Sequence, residues 1–153
     1  MSTDHGPGPA LRRNLVYLLK HAYLRMTEMT TNAVTPYGIE GRELGVLLVL
    51  AGREPASQQQ AAQRLGIDRT TMVALLDALE TKGLVSRHPH AEDRRRNVVS
   101  LTAAGDATLR QAIEANDDAE REFLARLSPA AAEQLRLSLQ TIVTDPGAGR
   151  PAR

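Results

Sequence analysis

The sequence predicts a mainly α-helical fold with a small β wing. Apolar residues recur at intervals of three and four along most of the chain, the period of one helix face. Hydrophobic residues make up 42% of the 153 residues and aromatic residues only 3%, so the core must be aliphatic. One stretch departs from helical spacing, because the short apolar runs Gly83–Val85 and Val98–Leu101 enclose a polar segment and favour a β hairpin.

The N-terminal element is predicted to be one long helix over residues 10–35. The stripe steps by three and four and consists of Leu11, Leu15, Leu18, Leu19, Ala22, Met26, Met29 and Ala33. Pro36-Tyr37-Gly38 should end this helix, since proline and glycine interrupt helices. Residues 1–9 are polar and rich in Gly and Pro, and we expect a disordered arm there.

Two shorter helices should follow. The first runs from Gly41 to Ala51. Its predicted buried stripe is Leu44, Leu47, Leu48 and Ala51. The next opens at Ser57, which forms a capping box with Gln60, and ends at Gly66, which is placed as a C-terminal cap.

A fourth helix should begin almost at once, because only Ile67 separates Gly66 from Asp68, a good N-cap. It is predicted from Asp68 to Thr81 and ends at Lys82-Gly83. Its stripe is Met72, Leu75, Leu76 and Leu79. Two short helices joined by a tight glycine-containing turn form a helix-turn-helix.

The β hairpin should carry a projecting tip. Its predicted strands are Leu84–Arg87 and Asn97–Leu101, joined by nine residues, His88–Arg96. The tip reads Glu92-Asp93-Arg94-Arg95-Arg96. A helix beside a hairpin that presents guanidinium groups suits a DNA duplex, the helix in the major groove and the tip in the minor groove. Residues 36–101 are therefore predicted to be a winged helix-turn-helix DNA-binding lobe.

Two more helices complete the chain. Thr102 should cap a long fifth helix. Its main face holds Leu109, Ile113, Asn116, Ala119, Phe123 and Leu127. Ser128-Pro129 opens a sixth helix to about Thr144. These apolar faces exceed what a small winged helix can cover, so residues 10–35 and 102–145 are predicted as N- and C-terminal dimerisation helices. Residues 146–153 are expected to be a flexible tail.

Charge and composition narrow the function. Net charge is +1, but residues 53–96 carry eight Arg and Lys against six acids, whereas residues 103–145 carry four Arg against eight acids. The basic segment could face phosphates. The absence of cysteine excludes disulfides, thiolate metal sites and thiol sensing. With no signal-like N-terminus and no apolar run longer than Leu44–Ala51, a cytoplasmic protein is expected.

Three motifs in this order and spacing resemble the MarR family of bacterial transcription regulators, whose members carry G-L-V-x-R, D-x-R and L-T-x-x-G. Here they are Gly83-Leu84-Val85-Ser86-Arg87, Asp93-Arg94-Arg95 and Leu101-Thr102-Ala103-Ala104-Gly105. The resemblance covers roughly residues 11–144. It implies a homodimer that binds double-stranded DNA. We expect a repressor and, from its two-fold symmetry, a pseudo-palindromic operator.

The resemblance also implies roles at the wing. Arg95 would insert into the minor groove, and Asp93 would orient its guanidinium through a fork-shaped pair. Arg94 and Arg96 are expected to contact phosphates. The alternative is a set of solvated surface ion pairs.

The helix starts supply further candidate DNA contacts. Arg69, Thr70 and Thr71 open the fourth helix and could reach bases and phosphates, unless the threonines only cap it. Ser57, Gln58 and Gln59 could contact phosphates, or form only a capping box with solvated glutamines. The middle of this helix is apolar at Val73-Ala74 where the family is often polar or basic, so the wing should carry more of the binding.

Other kinds of site are less well supported. His88, His90, Glu92 and Asp93 could be read as a metal cluster, but a short loop rarely closes a ligand set, and no metal or cofactor is expected. In this family, small and often aromatic or phenolic ligands bind between the dimerisation helices and the DNA-binding lobe. Polar residues near that region are His21, Tyr23, Arg25, Tyr37 and Arg42, which could hold an anion or be ordinary helix surface.

Two rival functions remain open. A winged-helix protein-interaction module without specific DNA binding would have the same fold. An enzyme is disfavoured, since the sequence has no nucleophile–base motif, phosphate loop or paired catalytic carboxylates.

Overall fold

The computed structural model describes residues 8–52 and 56–144. The elements within them are α1 (Pro9–Arg13), α2 (Leu15–Val34), a 3₁₀ turn (Thr35–Tyr37), α3 (Gly41–Leu50), β1 (Ala56–Ser57), α4 (Gln58–Leu65), α5 (Arg69–Thr81), β2 (Val85–Pro89), β3 (Asn97–Leu101), α6 (Ala103–Leu124) and α7 (Pro129–Thr144). The mainly helical fold with a small wing is confirmed.

The N-terminal helix is interrupted, which corrects the prediction of one continuous element over residues 10–35. Asn14 has extended backbone angles, and its side chain accepts a hydrogen bond from the Tyr17 N–H, so a second helix starts there. The first helix begins at Pro9, inside the predicted arm. The rest of that arm, residues 1–7, lies outside the described residues, as do residues 145–153 of the predicted C-terminal segments.

The helix-turn-helix is built from the predicted caps. Ser57 and Gln60 form the reciprocal capping box of α4, and Gly66 ends this helix at φ +65°. Asp68 then caps α5. Because Gly66 turns the chain in a left-handed conformation, only three residues, 66–68, separate α4 from α5.

The hairpin belongs to a three-stranded antiparallel sheet with the order β1-β3-β2. β1 was not predicted, since two residues are too few to show a strand pattern. β2 starts one residue later and ends two residues later than predicted, so the wing loop has seven residues, 90–96, instead of nine. Leu84 still belongs to the end of α5, because its N–H donates to the Leu79 carbonyl.

The core joins α2, α3, α4, α5, α6 and the sheet. One part of the α3 prediction is wrong: Leu48 and Ala51 are exposed, and Val46 and Leu50 are buried beside Leu44 and Leu47. The reason is that α3 packs against α2, α4, α5 and α6, so its buried face is wider than one stripe and is turned away from Leu48.

The terminal helices keep large apolar side chains on the surface. The exposed set includes Leu11, Leu15, Val16, Leu18, Leu19, Leu24, Leu135, Leu137, Leu139, Ile142 and Val143. Met26, Phe123, Leu124 and Leu135 help to line an apolar groove of about 400 Å³ between α2, α6 and α7. No helix among the described residues is long and apolar enough to cross a membrane.

Candidate nucleic-acid interface

A polar cleft of about 740 Å³ lies between the start of α4, the start of α5 and the base of the wing. Six of the ten residues predicted to bind DNA line it: Ser57, Gln58, Gln59, Arg69, Arg95 and Arg96. Asn97 and Gln63, which were not predicted, also contribute. The cleft brings together side chains from Ser57 to Asn97, up to 40 residues apart in the sequence.

The α5 end of the cleft is organised by Asp68. Its carboxylate accepts the Thr71 backbone N–H at 2.9 Å and the Thr71 hydroxyl at 2.6 Å. The hydroxyl bond first, and then the backbone bond, hold the pKa of Asp68 below its usual value. The Thr71 hydroxyl is therefore engaged in the cap, while the Arg69 and Thr70 side chains are exposed.

The wing tip is held by its own backbone. Asp93 Oδ1 accepts the Arg95 backbone N–H at 3.0 Å, and the Asp93 carbonyl accepts the Arg96 N–H. The His90 N–H bonds the Arg96 carbonyl at 2.8 Å, and His90 Nδ1 accepts the Glu92 N–H. The tip is thus a closed turn with side chains projecting from it.

This geometry corrects the predicted fork-shaped pair between Asp93 and the Arg95 guanidinium. The carboxylate of an aspartate reaches the backbone N–H two residues on more easily than it reaches a long side chain, and it forms an Asx turn. Among the described residues, the guanidinium groups of Arg94, Arg95 and Arg96 have no carboxylate partner. All three side chains are exposed and remain available to an anionic partner.

The α4 end of the cleft is tied to the wing. The Ser57 hydroxyl accepts the Gln60 N–H, which engages it in the cap, and the Ser57 backbone pairs with Val98 of β3. Gln58 is half-buried and Gln59 is exposed. The pairing of β1 with β3 holds the start of α4 at a fixed position relative to the wing.

Two basic residues of the winged lobe, Arg87 and Lys82, form ion pairs between elements that the sequence analysis missed. Arg87 of β2 binds both Asp77 and Glu80 of α5. Lys82, at the end of α5, binds both carboxylate oxygens of Glu43 at 2.9 and 2.7 Å. The acids lie 7 to 39 residues before their partners, so no local motif signals either pair.

The predicted effector residues are not gathered into one site. Arg42 lines a cleft of about 530 Å³ with Thr27, Thr31, Thr35 and Lys82, whereas the other four candidates do not line it. The His21 ring packs on Tyr17 at 4.1 Å between centroids, and Arg25 is exposed. Of the His, Cys, Asp and Glu side chains in residues 8–52 and 56–144, no three come together in a way that could hold a metal ion.

Comparison with known proteins identifies the family. A family model for MarR proteins matches residues 37–96. The transcriptional regulator HosA of Escherichia coli O127:H6 is 33% identical over 100 residues, which cover 65% of this chain and 72% of HosA. This chain belongs to the MarR family. A Thauera aromatica protein described as a transcriptional regulator for the hcr operon is 36% identical over 104 residues, 68% of this chain and 60% of that protein.

Solved structures agree with the MarR-family fold. The transcriptional repressor CouR, bound to a 23-mer DNA duplex, superposes with a TM-score of 0.81 at 32% identity, covering 92% of this chain and 99% of CouR. CouR from Rhodococcus jostii RHA1 bound to p-coumaroyl-CoA gives a TM-score of 0.79 at 26% identity, covering 93% and 99%. This MarR-family protein is therefore a winged-helix transcriptional regulator.

Proposed function

We propose that this regulator is a cytoplasmic, homodimeric, sequence-specific DNA-binding repressor. Each subunit places α5 in a major groove and its wing in the adjacent minor groove. The observation that carries the proposal is the polar cleft, which brings Arg69 at the start of α5 together with Arg95 and Arg96 of the wing. Among the described residues, the guanidinium groups of Arg95 and Arg96 have no carboxylate partner. CouR, a repressor with this fold, has been solved on DNA.

The predicted DNA-binding residues contact different parts of the duplex. The Arg95 guanidinium enters the minor groove, where a flat, weakly hydrated cation fits the narrow, negative channel. Arg94 and Arg96 contact phosphates on either side. Arg69, Thr70 and the Thr71 methyl group reach into the major groove from the first turn of α5, while Ser57, Gln58 and Gln59 approach the backbone.

A second copy of the chain covers the terminal helices. Large apolar side chains of α2 and α7 are exposed, and an apolar groove lies beside Phe123; exposed apolar faces of this kind mark protein–protein contact sites. Residues 10–35 and 102–145 would therefore serve as dimerisation segments. Two-fold symmetry then predicts a pseudo-palindromic operator whose half-sites lie about one helical turn apart.

A small organic anion relieves repression in this proposal. CouR binds p-coumaroyl-CoA, which is anionic and phenolic. Of His21, Arg25, Tyr37 and Arg42, we favour Arg42 as a contact, because it lines the cleft with Lys82 and three threonines. The ligand must bind the DNA-free arrangement more tightly than the DNA-bound one, since otherwise it cannot shift the equilibrium.

The wing is tested by Arg95→Ala in an anisotropy titration against salt, using a duplex selected by the protein from a random pool. We expect weaker binding and a log–log salt slope smaller by about one, because one phosphate-neutralising cation is lost. Arg121→Ala is the matched control, since it removes an exposed arginine of α6 that pairs within its own helix. An unchanged isotherm for Arg95→Ala would favour the protein-interaction rival.

A further inference from the structure

Arg87 joins the stem of the wing to the recognition helix. Arg87 lies in the middle of β2, opposite Val99 of β3. One terminal nitrogen donates to Asp77 Oδ1 at 2.6 Å, and the other donates to Glu80. Asp77 and Glu80 are three residues apart on α5, so one planar guanidinium spans two carboxylates on one helix face.

The position of this group differs from that of the wing-tip arginines. The Arg87 side chain is 18% exposed, and its Nε is buried with no hydrogen-bond partner among the described residues. Burial alone would lower its pKa, but the bonds to Asp77 and then Glu80 outweigh burial, so the pKa of Arg87 is raised. The cation is committed to α5 and is not available to a phosphate.

We propose that Arg87, Asp77 and Glu80 set the separation of α5 and the wing, and so allow one subunit to read both grooves at once. All three are positioning residues. The inference rests on the proposed binding of DNA through the wing. The ion pairs of Arg87 form a tie between β2 and α5. Such a tie is needed because the wing loop, residues 90–96, lies beyond the paired ends of β2 and β3, and α5 must stay at a fixed distance from it.

The direction in which DNA affinity changes when Asp77 and Glu80 are neutralised distinguishes a positioning role from a purely electrostatic one. Asp77 and Glu80 are half to mostly exposed acids on the helix proposed to enter the major groove. If they acted only through charge, neutralising them would strengthen binding to a polyanion. If they hold Arg87 and the wing in place, neutralising them weakens binding despite the gain in net positive charge.

The experiment uses the full chain and the selected duplex. The variants are Asp77→Asn with Glu80→Gln together, Arg95→Ala, and all three substitutions combined. We expect the double variant to bind about 5- to 30-fold more weakly than the parent. We also expect Arg95→Ala to weaken binding less in the double variant than in the parent, because a displaced wing has less contact to lose.

A second variant and a control keep the result interpretable. Arg87→Lys retains the charge but reaches only one carboxylate, so it should fall between the parent and the double variant. Asp118→Asn removes an acid from an ion pair within α6 and should leave affinity unchanged. Thermal unfolding confirms that each variant is folded at the temperature of the titration.

Three outcomes would overturn the tie. Tighter or equal binding by the double variant would mean that the acids act through charge alone. If the losses of affinity from the double variant and from Arg95→Ala simply add, the tie does not position the wing. If Arg95→Ala itself has no effect, the proposed wing contact fails as well, whereas a normal Arg95 effect with an unaffected double variant overturns the tie alone.

Discussion

At the residue scale, the side chain of Asp93 is engaged with the backbone of the wing. Its Oδ1 accepts the Arg95 N–H, which fixes the turn from which the Arg95 side chain projects. An amide oxygen can accept the same bond, whereas a methyl group cannot. The wing turn should therefore depend on a hydrogen-bond acceptor at position 93 and not on a negative charge.

Asparagine and alanine at position 93 should consequently behave differently. We expect Asp93→Ala to weaken DNA binding by about 1 kcal/mol, or roughly fivefold, through loss of the turn-closing hydrogen bond. Asp93→Asn should bind at least as well as the parent, because it keeps the bond and removes a negative charge. Equal loss in both variants, measured by anisotropy, would instead point to an ion pair with a guanidinium.

Asp68 makes the start of α5 sensitive to acid. Its pKa is lowered by the bonds from Thr71, so the ionised form stabilises the fold fully at pH values above the usual 3.8. That stabilisation is lost as pH falls from 3.8 through the lowered pKa. Between pH 6 and 8 this group should contribute no pH dependence.

The test compares the parent with Asp68→Asn by chemical denaturation between pH 7 and pH 3. The parent should be the more stable at neutral pH, and the difference should shrink only at the acidic end of the series. A difference that stays constant to pH 3 would contradict the assignment.

At the scale of elements, an ion pair between a buried glutamate and a partly exposed lysine links α3 to the end of α5. The Glu43 side chain is 3% exposed and also accepts the Glu40 N–H, whereas the Lys82 side chain is 37% exposed. Removing Lys82 leaves a buried carboxylate without its counter-charge. Removing the charge of Glu43 leaves a lysine that water can solvate.

The two substitutions should therefore be unequal. We expect Lys82→Met to lower the free energy of unfolding by about 2–3 kcal/mol, and Glu43→Gln to lower it by about 1 kcal/mol. Urea denaturation at pH 7 measures both. A larger loss for Glu43→Gln than for Lys82→Met would contradict this account of the pair.

Local chemistry made most helix ends predictable. Ser57, Gly66, Asp68 and Thr102 all act as the caps that their residue types indicate. The break at Asn14 was missed because the apolar stripe continues through it. Asn14, a residue type that often caps helices, was the one sequence signal of this break.

Contacts between residues far apart in the sequence could not be predicted from local sequence patterns. β1 exists only because Ala56 pairs with Val99, and Arg87 and Lys82 find their acids through the fold. The motif L-T-x-x-G could be recognised in the sequence, but only the structure shows why its last position is glycine. A Cβ on Gly105 would lie 1.9 Å from the Leu84 carbonyl oxygen, so this position tolerates only glycine.

At the scale of the whole molecule, the two ends of the chain carry apolar faces and the middle carries cations. The exposed leucines lie on the terminal helices α2 and α7. The exposed arginines of the wing lie between these helices in the sequence. This arrangement suits a homodimer whose two winged lobes face a single duplex. The symmetry of the protein should therefore appear in the DNA that it selects.

The most direct test is selection of bound fragments from a random DNA pool by the full chain. The proposed function predicts one enriched, pseudo-palindromic motif, with half-sites about one helical turn apart and AT-rich positions where the wings reach the minor groove. No enrichment above the input pool would contradict sequence-specific DNA binding. A single half-site without symmetry would contradict the homodimer.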